Sequence, residues 1–127
     1  MDGLPCARIM HVREVVSAGQ SIAGMLVRVT GRIRPKAGGD ETCIRIEDRS
    51  GALLAVDTSR IVTSGMRPNS LFQFLGKIDW REETTEEDKM VVLAQLGRCV
   101  EGMDEGLFER ALDLKRQFES TARAPCR

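Results

Sequence analysis

The sequence predicts an all-β fold: a five-stranded Greek-key barrel of the OB-fold type, completed by one C-terminal α-helix. Three observations predict it. Five segments between residues 25 and 100 carry strand-like apolar patterning, most clearly as apolar and polar residues alternating with period two. The longest break between them falls after the third segment, as in a five-stranded OB barrel. An amphipathic stretch with helical periodicity follows the fifth. An SH3-like barrel also has five short strands, but the break after strand three and the long terminal helix favour the OB arrangement.

The elements follow in order. Residues 1–24 read as an N-terminal extension leading into the barrel, with an apolar patch at Val12, Val15 and Val16. Ser17 to Gly24 is rich in Gly, Ser and Ala and reads as a turn. The barrel is expected over 25–103. In the first strand, Met25 to Arg34, the residues Met25, Val27, Val29, Gly31 and Ile33 share one face; Arg28, Thr30, Arg32 and Arg34 share the other. Pro35 to Glu41 is a turn. The second strand, Thr42 to Arg49, points Ile44 and Ile46 inward and Arg45, Glu47 and Arg49 outward. Ser50-Gly51 makes a tight turn into the third strand, Ala52 to Asp57. Thr58 to Met66 reads as a short helical turn or connection. The fourth strand, Ser70 to Asp79, puts Phe72, Phe74, Gly76 and Ile78 on one face. Trp80 to Lys89 is a charged loop, and Met90 to Val100 is the fifth strand. Gly31 and Gly76 fall mid-strand, where a small barrel bends sharply. Asp104 supplies an N-cap oxygen for a helix over 104–121, with 122–127 as a tail.

Composition narrows the function. At 127 residues the chain is one domain's worth and can bury a core without metal or disulfides. Lys plus Arg is 19 and Asp plus Glu is 19, so the basic surplus usual for a self-sufficient nucleic-acid binder is missing. Cys6, Cys43, Cys99 and Cys126 are widely spaced, no C-x-x-C pair occurs and His11 is the only histidine, so zinc lacks ligands at a suitable spacing. Free thiols in a reducing compartment are expected, and neither a signal peptide nor a membrane span is read, so an intracellular, cytosolic or nuclear protein is expected. No nucleophile elbow, P-loop or dinucleotide fingerprint is present, and the reading is of a non-enzyme without cofactor or metal.

Two surfaces stand out. Arg28, Arg32, Arg34, Lys36, Arg45 and Arg49 are expected on the outer face of the first three strands, where OB-folds bind single strands. The competing reading is a solvated polar face, which every half-buried sheet needs, and two facts favour it. No aromatic interleaves these residues, and Glu82, Glu83, Glu86, Glu87 and Asp88 in the neighbouring loop would repel phosphates. Trp80, at the loop's base, is the one candidate for stacking a base. The nucleic-acid role expected of this face is therefore weak and auxiliary. The second surface is the helix. Leu107, Ala111, Leu114 and Phe118 form one narrow stripe, and Phe108 and Leu112 widen it to an arc of about 160°, more than the roughly 100° needed for one contact. The spacing of the narrow stripe is that of a coiled-coil seam, and Lys115 lies within the arc. The excess suggests two uses: the first turns, with Phe108 and Leu112, on the barrel, and the later stripe (Ala111, Leu114, Phe118) on a partner helix.

Several segments resemble the Ten-one family, the smallest subunit of the CST (Ctc–Stn–Ten) telomere-capping complex, in its plant or algal form. They are VSAGQ (the VSAGQ run ending at Gln20), VRVTGRI (27–33), IEDRSGALLAVDTSRI (46–61), SLFQFLGKI (70–78) and LAQLGRCVEGMD (93–104), followed by the helix. The resemblance implies an OB-fold subunit that pairs with the Stn subunit through C-terminal helices and carries the interface role onto Phe118; Leu107, Ala111, Leu114 and Lys115, from the helix arc, are expected on the same contact. Phe118 stands where animal relatives carry a tyrosine. It further implies a nuclear complex with the large Ctc subunit, which binds single-stranded telomeric DNA and supports fill-in by DNA polymerase alpha–primase. The nearest rival is the small subunit of a replication protein A-like trimer. A stand-alone OB-fold module binding single-stranded nucleic acid is the rival from another class.

Overall fold

A computed structural model describes residues 7–35, 42–62, 66–82 and 89–121. In chain order the elements are β1 (Arg8–Ile9), α1 (Val12–Ala18), a 3-10 turn (Gly19–Ile22), β2 (Leu26–Arg34), β3 (Cys43–Glu47), β4 (Leu53–Asp57), β5 (Leu71–Trp80), β6 (Met90–Cys99) and α2 (Glu105–Thr121). The strands are ordered β1-β2-β3-β4-β6-β5, and β5 pairs back on β2. That last pairing closes β2 to β6 into a barrel, which removes the exposed sheet edges. All barrel pairs are antiparallel except β4 with β6, which run parallel (Ala55 opposite Val91) because the chain crosses over after β4. This is the five-stranded Greek-key arrangement expected of an OB-fold.

Alternation places the core. Buried and half-buried residues alternate without exception along β2, from Leu26 to Arg34. Val27, Val29, Ile33, Ile46, Leu54, Val56, Phe72, Phe74, Ile78, Val92 and Ala94 share one buried cluster. The Phe72 and Phe74 rings lie 5.8 Å apart at 22°, an offset stack that adds to their burial. The β3–β4 hairpin turns on buried Asp48, whose Oδ1 accepts from the Ser50 hydroxyl at 2.6 Å, the Ser50 N–H at 2.9 Å and the Ala52 N–H at 3.2 Å. Gly76 sits at a register shift in the β5–β6 pair. A methyl there would lie 2.3 Å from the Leu93 carbonyl oxygen, so only glycine lets the strands approach at this bend.

The N-terminal region differs from the sequence reading. Residues 8–9 form a short parallel strand against Val27 and Arg28, and 12–18 form a helix where patchy apolar sequence and then a turn were expected. Met10, Val12 and Val15 join the core cluster, so α1 is a plug for the barrel. Trp80 ends β5 instead of opening the loop, and it packs partly against the core. Residues 58–62 turn without forming a helix; Thr58 is buried and its N–H and hydroxyl both meet the Thr42 carbonyl. Lys36 and the loop acids Glu83, Glu86, Glu87 and Asp88 lie outside the described residues.

Candidate functional site

The terminal helix is built as its sequence dictates. The Asp104 side chain accepts the Leu107 N–H at 3.0 Å, and its carbonyl accepts the Phe108 N–H, so the N-cap is where it was expected. Glu105 in the first turn complements the positive end of the dipole. One face docks: Leu112 is 4% exposed, and Glu105, Phe108, Glu109 and Arg116 are half-buried. These residues follow one another at helical spacing, and Glu105, Phe108 and Glu109 line a small crevice with Met10, His11, Val12 and Thr30.

The narrow apolar stripe lies on a different face. Leu107 is 57% exposed, Leu114 64% and Phe118 71%; Ala111 and Lys115 between them are exposed too. The division expected along the helix, early turns inward and late turns outward, is instead a division around it. Leu107 in the first turn faces outward with Phe118, while Arg116 near the end faces inward. Among the leucines of α2 only Leu112 is buried, while Leu107, Leu114 and Phe118, at seam spacing, are each more than half exposed.

Polar contacts that the sequence reading missed hold the inward face. Asp113 Oδ1 meets His11 Nε2 at 2.9 Å and Arg13 Nη2 at 3.5 Å. Arg116 donates from Nε to Glu14 Oε2 at 2.9 Å and from Nη2 to the Ile9 carbonyl. Burial alone would raise the Glu14 carboxyl. The Arg116 hydrogen bond, the His11 N–H at 2.8 Å and the neighbouring positive charge outweigh it and hold the group below its ordinary value. These pairs join residues 102 apart in sequence. The only hint available in the sequence was the charged Arg13-Glu14 pair beside the sole histidine.

Four of the basic residues divide between two concavities. Arg32, Arg34 and Arg49 line one concavity with Glu47, Asp48, Ser50, Gly51 and Glu105. There Arg32 pairs with Glu105 at 2.8 Å and Glu101 at 3.4 Å, and Arg34 with Glu47 at 2.8 Å and Asn69 at 2.8 Å. Arg49 lies against the start of α2, with its Nη1 2.7 Å from where a Gly106 methyl would be. Arg45, on β3, faces Ala55 across the hairpin. Arg28 stands apart, in a shallow groove of about 280 Å³ over β2, β5 and β6 with Gln73, Leu75, Leu96, Gly97 and Arg98. Trp80 donates its indole N–H to Glu82 at 3.2 Å. Among the described residues, no aromatic ring lines either place with the arginines. Acids already neutralise the concavity's best-placed cations, which leaves little field for phosphates.

Barrel and helix together define a class: a small OB-fold chain whose C-terminal helix shows an apolar stripe to solvent. A family model described as telomere-capping, CST complex subunit matches residues 4–122. The CST complex subunit TEN1 of Arabidopsis thaliana is 30% identical over 95 residues, 75% of this chain and 71% of that protein. This chain belongs to the telomere-capping CST complex subunit family. The fold is shared with a chain of the S. pombe Stn1–Ten1 complex, with a TM-score of 0.70 at 12% identity over 91% of this chain and 96% of that one. It is shared too with a chain of U. maydis replication protein A bound to single-stranded DNA, with a TM-score of 0.65 at 11% identity over 94% and 97%.

Proposed function

We propose that this chain works as the small, non-catalytic OB-fold subunit of a CST complex and stabilises a Stn-type subunit through α2. The single observation that carries the proposal is the stripe of Leu107, Ala111, Leu114 and Phe118, exposed along one side of a helix whose opposite side is docked. Exposed apolar residues at seam spacing match a partner helix of the same kind. Lys115 beside them can cover apolar surface with its stem and keep its charge in water. Family membership supports a Stn-type subunit as the partner, and in this reading a large Ctc-type subunit completes the complex. Its place is then the nucleus, at telomere ends. Contact with DNA polymerase alpha–primase and with single-stranded telomeric DNA comes through the assembled complex, with Arg28, Arg32, Arg34, Lys36, Arg45, Arg49 and Trp80 as auxiliary contacts.

Co-expression tests this directly. The Stn-type subunit from the same organism should become soluble and co-purify with this chain at equal stoichiometry. The middle subunit of replication protein A, expressed in the same way, should not. Retrieval of that subunit in place of the Stn type would move the chain to the replication protein A reading.

A further inference from the structure

The geometry points to residues 8–14 as a positioning element that sets the pose of α2 and thereby aims the Leu107–Phe118 stripe at the partner. This rests on the partner-binding role proposed above for that stripe. The helix has 17 residues, a length of about 25 Å. Among residues 105–120 only Leu112, at the middle of the helix, is buried, and residues 113–120 are exposed or half-buried. One leucine can pin a helix but cannot fix the direction in which its second half runs.

The N-terminal segment supplies that direction with a polar clasp. Asp113 is held by His11 and Arg13, Arg116 by Glu14 and the Ile9 carbonyl, and Glu119 lies 3.8 Å from Arg8 and 3.3 Å from Arg116. Residues 113, 116 and 119 are spaced to share the inward side of α2, so the contacts run along its second half. The Arg116 fork is half-buried and grips two acceptors at once, which fixes orientation as a flexible lysine would not.

The clasp is itself tied to the barrel. The Arg13 N–H donates to Asp48 Oδ2 at 3.2 Å, and its guanidinium lies 3.6 Å from the same oxygen. The second oxygen of Asp48 caps the β3–β4 turn. Arg13 therefore bridges a buried hairpin carboxylate to Asp113 on α2. On the other side Met10 donates to the Arg28 carbonyl at 3.1 Å, next to the β1–β2 pairs. Val12 and Val15, both 0% exposed, root α1 in the core. A rigid path thus runs from barrel to helix, and none of its groups belongs to the exposed stripe. The residues of the clasp are positioning residues, distinct from those meeting the partner.

The test uses the full chain as Asp113→Asn, Arg116→Gln, the double variant, and Phe118→Glu. Two quantities are read: affinity for the Stn-type subunit by calorimetry, and amide hydrogen exchange along α2 in the unbound chain. Fluorescence of Trp80, the single tryptophan, at the end of β5 remote from the α2 junction, reports barrel integrity. In the double variant, exchange over 113–120 should rise at least tenfold, exchange over β2 to β6 should stay unchanged, and partner affinity should fall at least tenfold. Arg116→Lys should restore part of the affinity, because it keeps charge without the fork. Faster exchange with unchanged affinity would overturn the proposal, as would lost affinity with unchanged exchange, which would make Asp113 and Arg116 direct contacts. Should Phe118→Glu bind like the native chain, the partner role of the stripe fails. The exchange result would still decide whether the clasp holds the helix.

Discussion

Gly76 shows how one absent side chain shapes the barrel. Its position is set by the 2.3 Å that a methyl would leave to the Leu93 carbonyl, a contact the backbone can relieve only by opening the β5–β6 pair. Gly76→Ala should therefore cost on the order of 3 kcal/mol, the upper range for overpacking. Urea unfolding followed by Trp80 fluorescence measures it, and a loss below about 1 kcal/mol would show that the strands shift freely. This glycine was legible in the sequence because it interrupts an alternating apolar run. Asp48 was not. Its place in the alternation pointed it inward beside Ile44 and Ile46, yet its role depends on Ser50, Ala52 and Arg13 converging on it, and only the folded chain brings Arg13 there.

Among elements, the barrel strands were readable to within a residue or two, since period-two alternation reports burial directly. The helix α1 was hidden for a physical reason. It has seven residues, three of them valine, and starts from His11 where Ser, Thr, Asp or Asn would usually announce an N-cap. Its stability comes from burying Val12 and Val15, a tertiary effect without local signature. For α2 the wheel showed that the apolar arc was too wide for one contact. The docked side was set by Glu14 and His11, far away in sequence, so it could not be assigned from the helix alone. Those contacts carry a pH dependence. Glu14 is held below its ordinary value in the folded chain, so folding stability from this group is complete above the ordinary value and is lost as pH falls from there through the lower folded-state value. Acidification below about pH 4.5 should lower the melting temperature more in the native chain than in Glu14→Gln. Equal slopes in calorimetric melts of the two would show that Glu14 contributes nothing.

At the scale of the molecule, charge and exposed surface pull function in one direction. The chain carries 19 basic and 19 acidic residues, and Arg32 and Arg34 spend their charge on Glu101, Glu105 and Glu47. Non-specific single-strand affinity scales with the phosphates neutralised, so the isolated chain should bind telomeric single strands no tighter than about 1 µM at physiological salt. Fluorescence anisotropy checks this, and a submicromolar Kd would restore the stand-alone binder. The sequence made the fold and the apolar helix legible, and the resemblance of particular segments pointed to the family. The basic residues looked like one cluster because outward positions on three strands share a parity. Curvature of the closed barrel separates Arg28 from Arg32 and Arg34, and parity alone cannot show that.

The central claim is that the outward stripe of α2 is where this chain meets its partner. Isothermal titration of the Stn-type subunit into the native chain, Leu114→Glu and Phe118→Glu tests it most directly. Each glutamate would place a charge in an apolar helix contact while leaving the docked face around Leu112 untouched. The expected result is at least a hundredfold loss of affinity, roughly 3 kcal/mol, for either variant, with barrel melting unchanged. Binding by both variants within threefold of the native chain would contradict the account.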